Sequence, residues 1–277
     1  MSSKPHELVF HGLREALSFS FRGLEKLKDK YIWSKSEVEE ARGYLIYFRD
    51  TIKKENEPLF HALFGESGDF FELEPFARGY NSKVLSFKTI IDSKVKKWVI
   101  KVGFRISPVV DFGDPSTEGY FEEYQSYLDL LRKVVADRPI LSHLLPEPQA
   151  ISFATLSSDE HGKIGTTLAI QPFMHVVRPG DLKKTITKEE KLQLLSELRS
   201  FKELSAHLMD TYQIRPELIG EGNLEIVRFG EDYHLMLLDM GWVDLKKPLP
   251  ITQTIAHFSA QYVIGKLENW LKNKVGE

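Results

Sequence analysis

The sequence predicts an α+β fold in two lobes, and three observations predict it. Apolar residues recur at helical spacing through the first 65 residues, and β-rich runs are grouped between about residues 70 and 177. A strong helical stripe, a hairpin and a last helix follow, so strands and helices do not alternate as they would in βαβ units. The organisation read from this is a helical extension over 1–67, a β-rich lobe with one inserted helix over 68–174, and a mainly helical lobe over 175–277.

In chain order, Leu13, Leu17, Leu24 and Leu27, with Phe10 and Phe21 nearby, predict a helix over 7–30. Ser34 and Glu37 have capping-box spacing ahead of a Val38, Ala41, Leu45, Phe48 and Ile52 stripe, which Leu59, Phe60 and Leu63 extend. The pattern then changes to β-rich runs broken at Arg78-Gly79-Tyr80-Asn81 and at Asp92-Ser93. Tyr120, Tyr124, Tyr127, Leu128 and Leu131 mark a helix over about 117–136. "LLPEPQAISFATL" and "KIGTTLAIQPFMHVV" read as a strand pair. Thr187 and Glu190 form a second capping box before Leu194, Leu198, Phe201, Leu204 and Leu208, and a last helix spans about 252–272.

Composition narrows the function classes. A formal charge of −3 gives no electrostatic case for nucleic acid. The absence of cysteine removes thiolate metal sites and cysteine nucleophiles and fits a reducing compartment. The N-terminal apolar stretch carries charges, unlike a signal peptide, and no apolar run approaches the ~20 residues that span a bilayer, so a cytoplasmic protein with no membrane partner is expected. There is no Gly-x-Ser-x-Gly and no His-Glu-x-x-His.

Several short segments carry chemistry. In "WVIK", 98–101, strand alternation puts Val99 and Lys101 on one face and Trp98 and Ile100 on the other. In the stretch 218–242, Asn223 stands before one apolar run, a Gly-Glu-Asp turn follows, and the second run ends at Asp239-Met240-Gly241. The plain reading of that stretch is a hairpin capped at its ends by Asn and Asp. A literal Asp-Phe-Gly at 111–113, flanked by Pro108 and Pro115, has no such hairpin before it and reads as a loop.

The element order, "WVIK", "LLPEPQAISF", "LAIQPFMHVVRPGDL" and the Asn–hairpin–Asp-x-Gly spacing resemble the protein-kinase-like superfamily over roughly residues 70 to 270, nearest in its small bacterial and aminoglycoside-phosphotransferase-like branch. The resemblance implies ATP and Mg²⁺ as cofactors. Lys101 would reach the α- and β-phosphates, Glu123 of the inserted helix (or Glu122 or Glu118) would hold that lysine, and Gly79 would lie in the phosphate-covering loop. Gln171 falls in the gatekeeper region, Phe173 and Met174 in the adenine-binding linker, and Asn223 and Asp239 at the metal, whose preference is for hard oxygen ligands.

The sequence departs from that pattern in three places. Only one glycine stands in "ARGYNSKVLSF". Leu218 occupies the position five before Asn223 where the family has its catalytic aspartate, leaving Glu217 or Glu221 as substitute bases. The segment after Asp239 has no Ala-Pro-Glu and leads almost directly into the last helix, which argues against protein substrates. Three readings stand: a pseudokinase-like nucleotide-binding protein with weak or absent phosphotransfer and a regulatory role; an active atypical or small-molecule kinase using Glu217 or Glu221; and an interaction protein that kept the scaffold and lost the nucleotide. In each, the N-terminal helices are either a packing appendage or a surface for a protein partner.

Overall fold

The computed structural model describes residues 34–78, 82–103, 114–159, 162–177, 181–182, 186–218, 223–239, 241–246 and 251–274. The helix expected over 7–30, Gly79, the Asp-Phe-Gly of 111–113, Glu221 and Met240 lie outside the described residues.

Helix α1, Lys35–Glu55, starts at the expected capping box: the Ser34 side chain accepts from the Glu37 amide, and the Glu37 carboxylate accepts from the Ser34 amide. Its buried face is Ala41, Leu45, Phe48 and Ile52, the stripe read from the sequence. Asn56 then caps α2, Glu57–Phe64, by accepting from the Leu59 amide.

The fold is α+β around a five-stranded antiparallel sheet. Its strands are β1 (Phe71–Arg78), β2 (Ser82–Ile91), β3 (Lys94–Gly103), β4 (Ala150–Asp159) and β5 (Gly162–Pro172), in spatial order β1-β2-β3-β5-β4. Pro75 falls on the edge strand β1, where a missing N–H is tolerated. Asp92 and Ser93 both have positive φ, which gives the two-residue turn between β2 and β3 a twist that matches the strands. The strand expected from residue 144 starts only at Ala150, since Pro146 and Pro148 cannot donate to a ladder.

Alternation splits the sheet into two faces. Leu85, Phe87, Trp98, Ile100, Leu168 and Ile170 form one hydrophobic core with Leu45, Phe48, Phe60, Leu63 and Phe64 of the two helices. The indole N–H of Trp98 donates to Thr89 Oγ1 at 2.7 Å, and that hydroxyl donates to Leu63 O at 3.0 Å. This buried relay ties the end of α2 to the outer face of the sheet, with both polar side-chain groups satisfied.

The second core lies against the inner face. It contains Tyr124, Tyr127, Leu128 and Leu131 of α3 (Glu118–Ala136) and Leu194, Leu198, Phe201 and Leu204 of α4 (Lys188–His207). Leu224, Ile226, Leu235 and Leu237 join it from the hairpin β7 (Leu224–Phe229) and β8 (Asp232–Leu237). Thr187 and Glu190 make the expected capping box of α4. Short strands β6 (Ile214–Pro216) and β9 (Trp242–Asp244) pair antiparallel around this hairpin, and α5, Ile251–Lys274, closes the chain.

A buried carboxylate anchors the hairpin to α4. Glu197 accepts from the Leu235 amide at 2.7 Å, from His234 Nδ1 at 2.9 Å and from Gln193 Nε2 at 3.1 Å. The His143 ring lies on His234, centroids 4.1 Å apart. Among the described residues, no helix is long and apolar enough to cross a membrane.

Candidate functional site

The site is built where the inner face of the sheet meets the open end of the β7–β8 hairpin. In the sheet, Val84, Lys101 and Ala169 lie side by side across β2, β3 and β5, and Ser86, Val99 and Gln171 form the next row. The alternation read from "WVIK" therefore holds: Trp98 and Ile100 enter the outer core and Lys101 faces inward.

The hairpin register brings Asn223 and Asp239 together. Leu224 pairs with Leu237, and the Asn223 carbonyl then accepts from the amides of Leu238, at 2.8 Å, and Asp239, at 3.4 Å. The two residues sit next to each other although 16 positions separate them in the chain, because a tight Gly230-Glu231 turn folds the strands back. Gly230 has φ +65°, a conformation that favours glycine.

Lys101 meets this pair. Its Nζ donates to Leu238 O at 2.7 Å and to Asp239 Oδ1 at 3.3 Å. Gln171 Nε2 donates to the same Leu238 carbonyl at 3.2 Å. The lysine side chain is 16% exposed and the aspartate 47%, so a mostly buried cation is held at the rim by a partly wet carboxylate. Asn223 is buried, and its Nδ2 donates to Glu217 O at 3.0 Å. That bond uses the nitrogen end of the amide; a cation would take the oxygen end.

Leu218 is fully buried in the second core, which rules it out as anything but an apolar anchor. Glu217 is held differently. Its amide donates to Gly241 O at 2.9 Å, and its carboxylate lies so close over Gly241 that a Cβ there would collide with it. A side chain at position 241 would have to push this carboxylate aside.

A cluster of rings backs the site. Trp242 stacks on Tyr124 (centroids 5.9 Å, interplanar angle 14°) and packs at 5.5 Å from Tyr120 and 5.4 Å from Tyr127. Burial raises the hydroxyl pKa of all three tyrosines above the usual phenol value; the charge of Asp239 adds to this at Tyr120 and Tyr124, and that of Glu217 at Tyr120 and Tyr127. The rings stay neutral, and the charges of both carboxylates act on this aromatic wall. The sequence marked the tyrosines only as a helical stripe and did not mark Trp242; its position directly after Asp-x-Gly was the available signal.

Glu123, expected to hold Lys101, is exposed on α3, and its charge acts on Tyr120. The tyrosines and leucines of α3 take the inward arc, and the carboxylate bonded to Lys101 is that of Asp239. Phe173 and Met174 lie at the end of β5. The Phe173 amide donates to Lys97 O, its ring packs edge-on against Phe76, and Lys97 Nζ stands 4.2 Å above it. Four residues after Phe173, Val177 donates to Ile226 O, so this connection is pinned to the sheet at one end and to the hairpin at the other, with Met174 half-buried between.

Among the described residues, no three His, Asp or Glu side chains converge as a self-sufficient metal site. Asn223 and Asp239 offer two hard oxygens, a donor set that suits a cation sharing its coordination with phosphate and water. No protein-family model matches this sequence, and no curated protein matches it.

Proposed function

We propose that this chain is a kinase-like protein that binds ATP and Mg²⁺, performs phosphotransfer weakly or not at all, and acts as a regulator. The observation that carries this reading is the meeting of Lys101 with Asp239, across 138 positions of sequence, with Asn223 beside them. A mostly buried lysine beside an Asn–Asp pair suits a polyphosphate and its metal: Lys101 would hold the phosphates, and Asp239 with Asn223 would hold Mg²⁺. Bound Mg²⁺ would neutralise phosphate charge. Gln171 braces Leu238, and the segment 173–177, pinned through Phe173, His175 and Val177, would present its remaining main-chain groups to a nucleobase. The burial of Leu218 supports weak or absent chemistry, since no carboxylate stands at the position of the base.

The test is thermal unfolding with ATP and Mg²⁺. A ligand that binds only the native state stabilises it by about 2.7 kcal/mol at a hundredfold excess over Kd. Stabilisation in wild type and its loss in Asp239→Ala are expected; no shift in wild type refutes the reading.

One observation favours a second reading, an active small-molecule kinase. Glu217 lies against Gly241, two positions from Asp239, and its carbonyl accepts from Asn223 Nδ2, so an acidic residue does stand beside the metal pair. ADP release over a metabolite panel, abolished by Glu217→Gln, would establish it.

A further inference from the structure

We infer that Trp242 is a positioning residue for the metal pair: its ring, locked among Tyr120, Tyr124 and Tyr127 of α3, fixes where Asp239 points. This rests on the nucleotide-binding reading above. Three contacts hold Gly241 and Trp242, two and three positions after Asp239. The Trp242 backbone pairs with Pro216 in the β6–β9 ladder. The Gly241 carbonyl is held by the Glu217 amide, and the Glu217 carboxylate closes the space over its Cα. The indole then fills a three-ring pocket, with centroid distances of 5.4 to 5.9 Å. On the other side of Asp239, the Leu238 carbonyl is bonded to Lys101 and Gln171. Asp239 thus follows a carbonyl held by two side chains and precedes by three positions a ring packed on three others.

The clamp also couples α3 to the sheet that carries the lysine. Ala169, the cross-strand neighbour of Lys101, belongs to the same hydrophobic core as Tyr124 and Tyr127, and Trp242 packs against that core. A shift of α3 moves the rings, and the rings move Asp239 relative to Lys101. Pure packing and this role make different predictions. A packing residue changes the unfolding temperature equally with and without metal, whereas a positioning residue changes the metal dependence of nucleotide binding.

The experiment measures unfolding of the full chain with ATP across a Mg²⁺ series and with ATP in EDTA, for wild type, Trp242→Leu and Trp242→Phe. In Trp242→Leu the Mg²⁺ concentration giving half the maximal ATP shift rises by about tenfold, since small displacements of positioned groups are costly, while the shift in EDTA stays unchanged. Trp242→Phe, which keeps a ring in the pocket, restores most of the metal response. An unchanged Mg²⁺ midpoint in Trp242→Leu, in a wild type that does respond to Mg²⁺, overturns the clamp and leaves the nucleotide reading standing. If wild type shows no ATP shift in any metal, both fall. Should Trp242→Leu fail to fold, Tyr120→Leu decides: it removes one half-buried ring from the rim of the same cluster, and a raised Mg²⁺ midpoint supports the clamp while an unaltered one overturns it.

Discussion

Strand β3 has two faces that solve different problems. On the outer face, Trp98 and Ile100 are buried under α1 and α2, and the polar indole N–H is passed through Thr89 to Leu63 O. On the inner face, Val99 and Lys101 look toward a hairpin from far along the chain, and the lysine ends on a carbonyl and a half-exposed carboxylate. The outer face is dry and closed, as a structural layer should be. The inner face keeps a mostly buried cation on a half-exposed aspartate, with the buried amide of Gln171 on the same carbonyl, an arrangement that costs packing and suits a ligand. Residues one position apart serve stability or the site according to which way the pleat turns them.

Substitutions on either side of the strand should separate those roles. Phe87→Ala cuts the outer core, where the Phe87 ring stacks on Phe64 at 5.9 Å and is fully buried. A loss of about 3–5 kcal/mol in denaturant unfolding is expected, with ATP response retained while the protein is folded. Lys101→Met acts on the inner face. The partner it abandons, Asp239, is wet enough to be solvated, so stability should change by about 1 kcal/mol or less while the ATP-dependent shift disappears. A large stability loss in Lys101→Met with the ATP shift intact would break the contrast between the faces.

The smallest effect is a pH dependence away from both. His143 has its pKa lowered, first by burial and then by the charge of His234. Its folded pKa is thus below its unfolded value of 6.5, so the unfolded chain takes up the proton more readily. Stability associated with His143 is present above pH 6.5 and declines as pH falls below it. Unfolding temperatures measured from about pH 7.5 to pH 5 should drop less steeply in His143→Gln than in wild type.

Much of the scaffold was legible residue by residue. Ser34 and Glu37, and Thr187 and Glu190, mark helix starts because a capping box is satisfied within four residues. The stripe from Ala41 to Ile52 and the alternation of "WVIK" follow from the helical and strand periods alone. The adjacency of Asn223 and Asp239 was readable from two apolar runs around a glycine turn. The acceptor of Lys101 was not: a helix glutamate and the hairpin aspartate have the same chemistry, and nothing local distinguishes them.

By itself the sequence determined where helices begin, which face of β3 carries the lysine, and that a hairpin joins Asn223 to Asp239. Only the tertiary structure decided that α1 and α2 cover the face opposite Lys101, that Asp239 and the Leu238 carbonyl receive its ammonium, and that Trp242 closes a ring cluster with α3. The physical reason is range. Periods and caps are set by neighbours within a turn or a pleat, whereas the partner of a side chain 138 positions away is chosen by how whole layers pack.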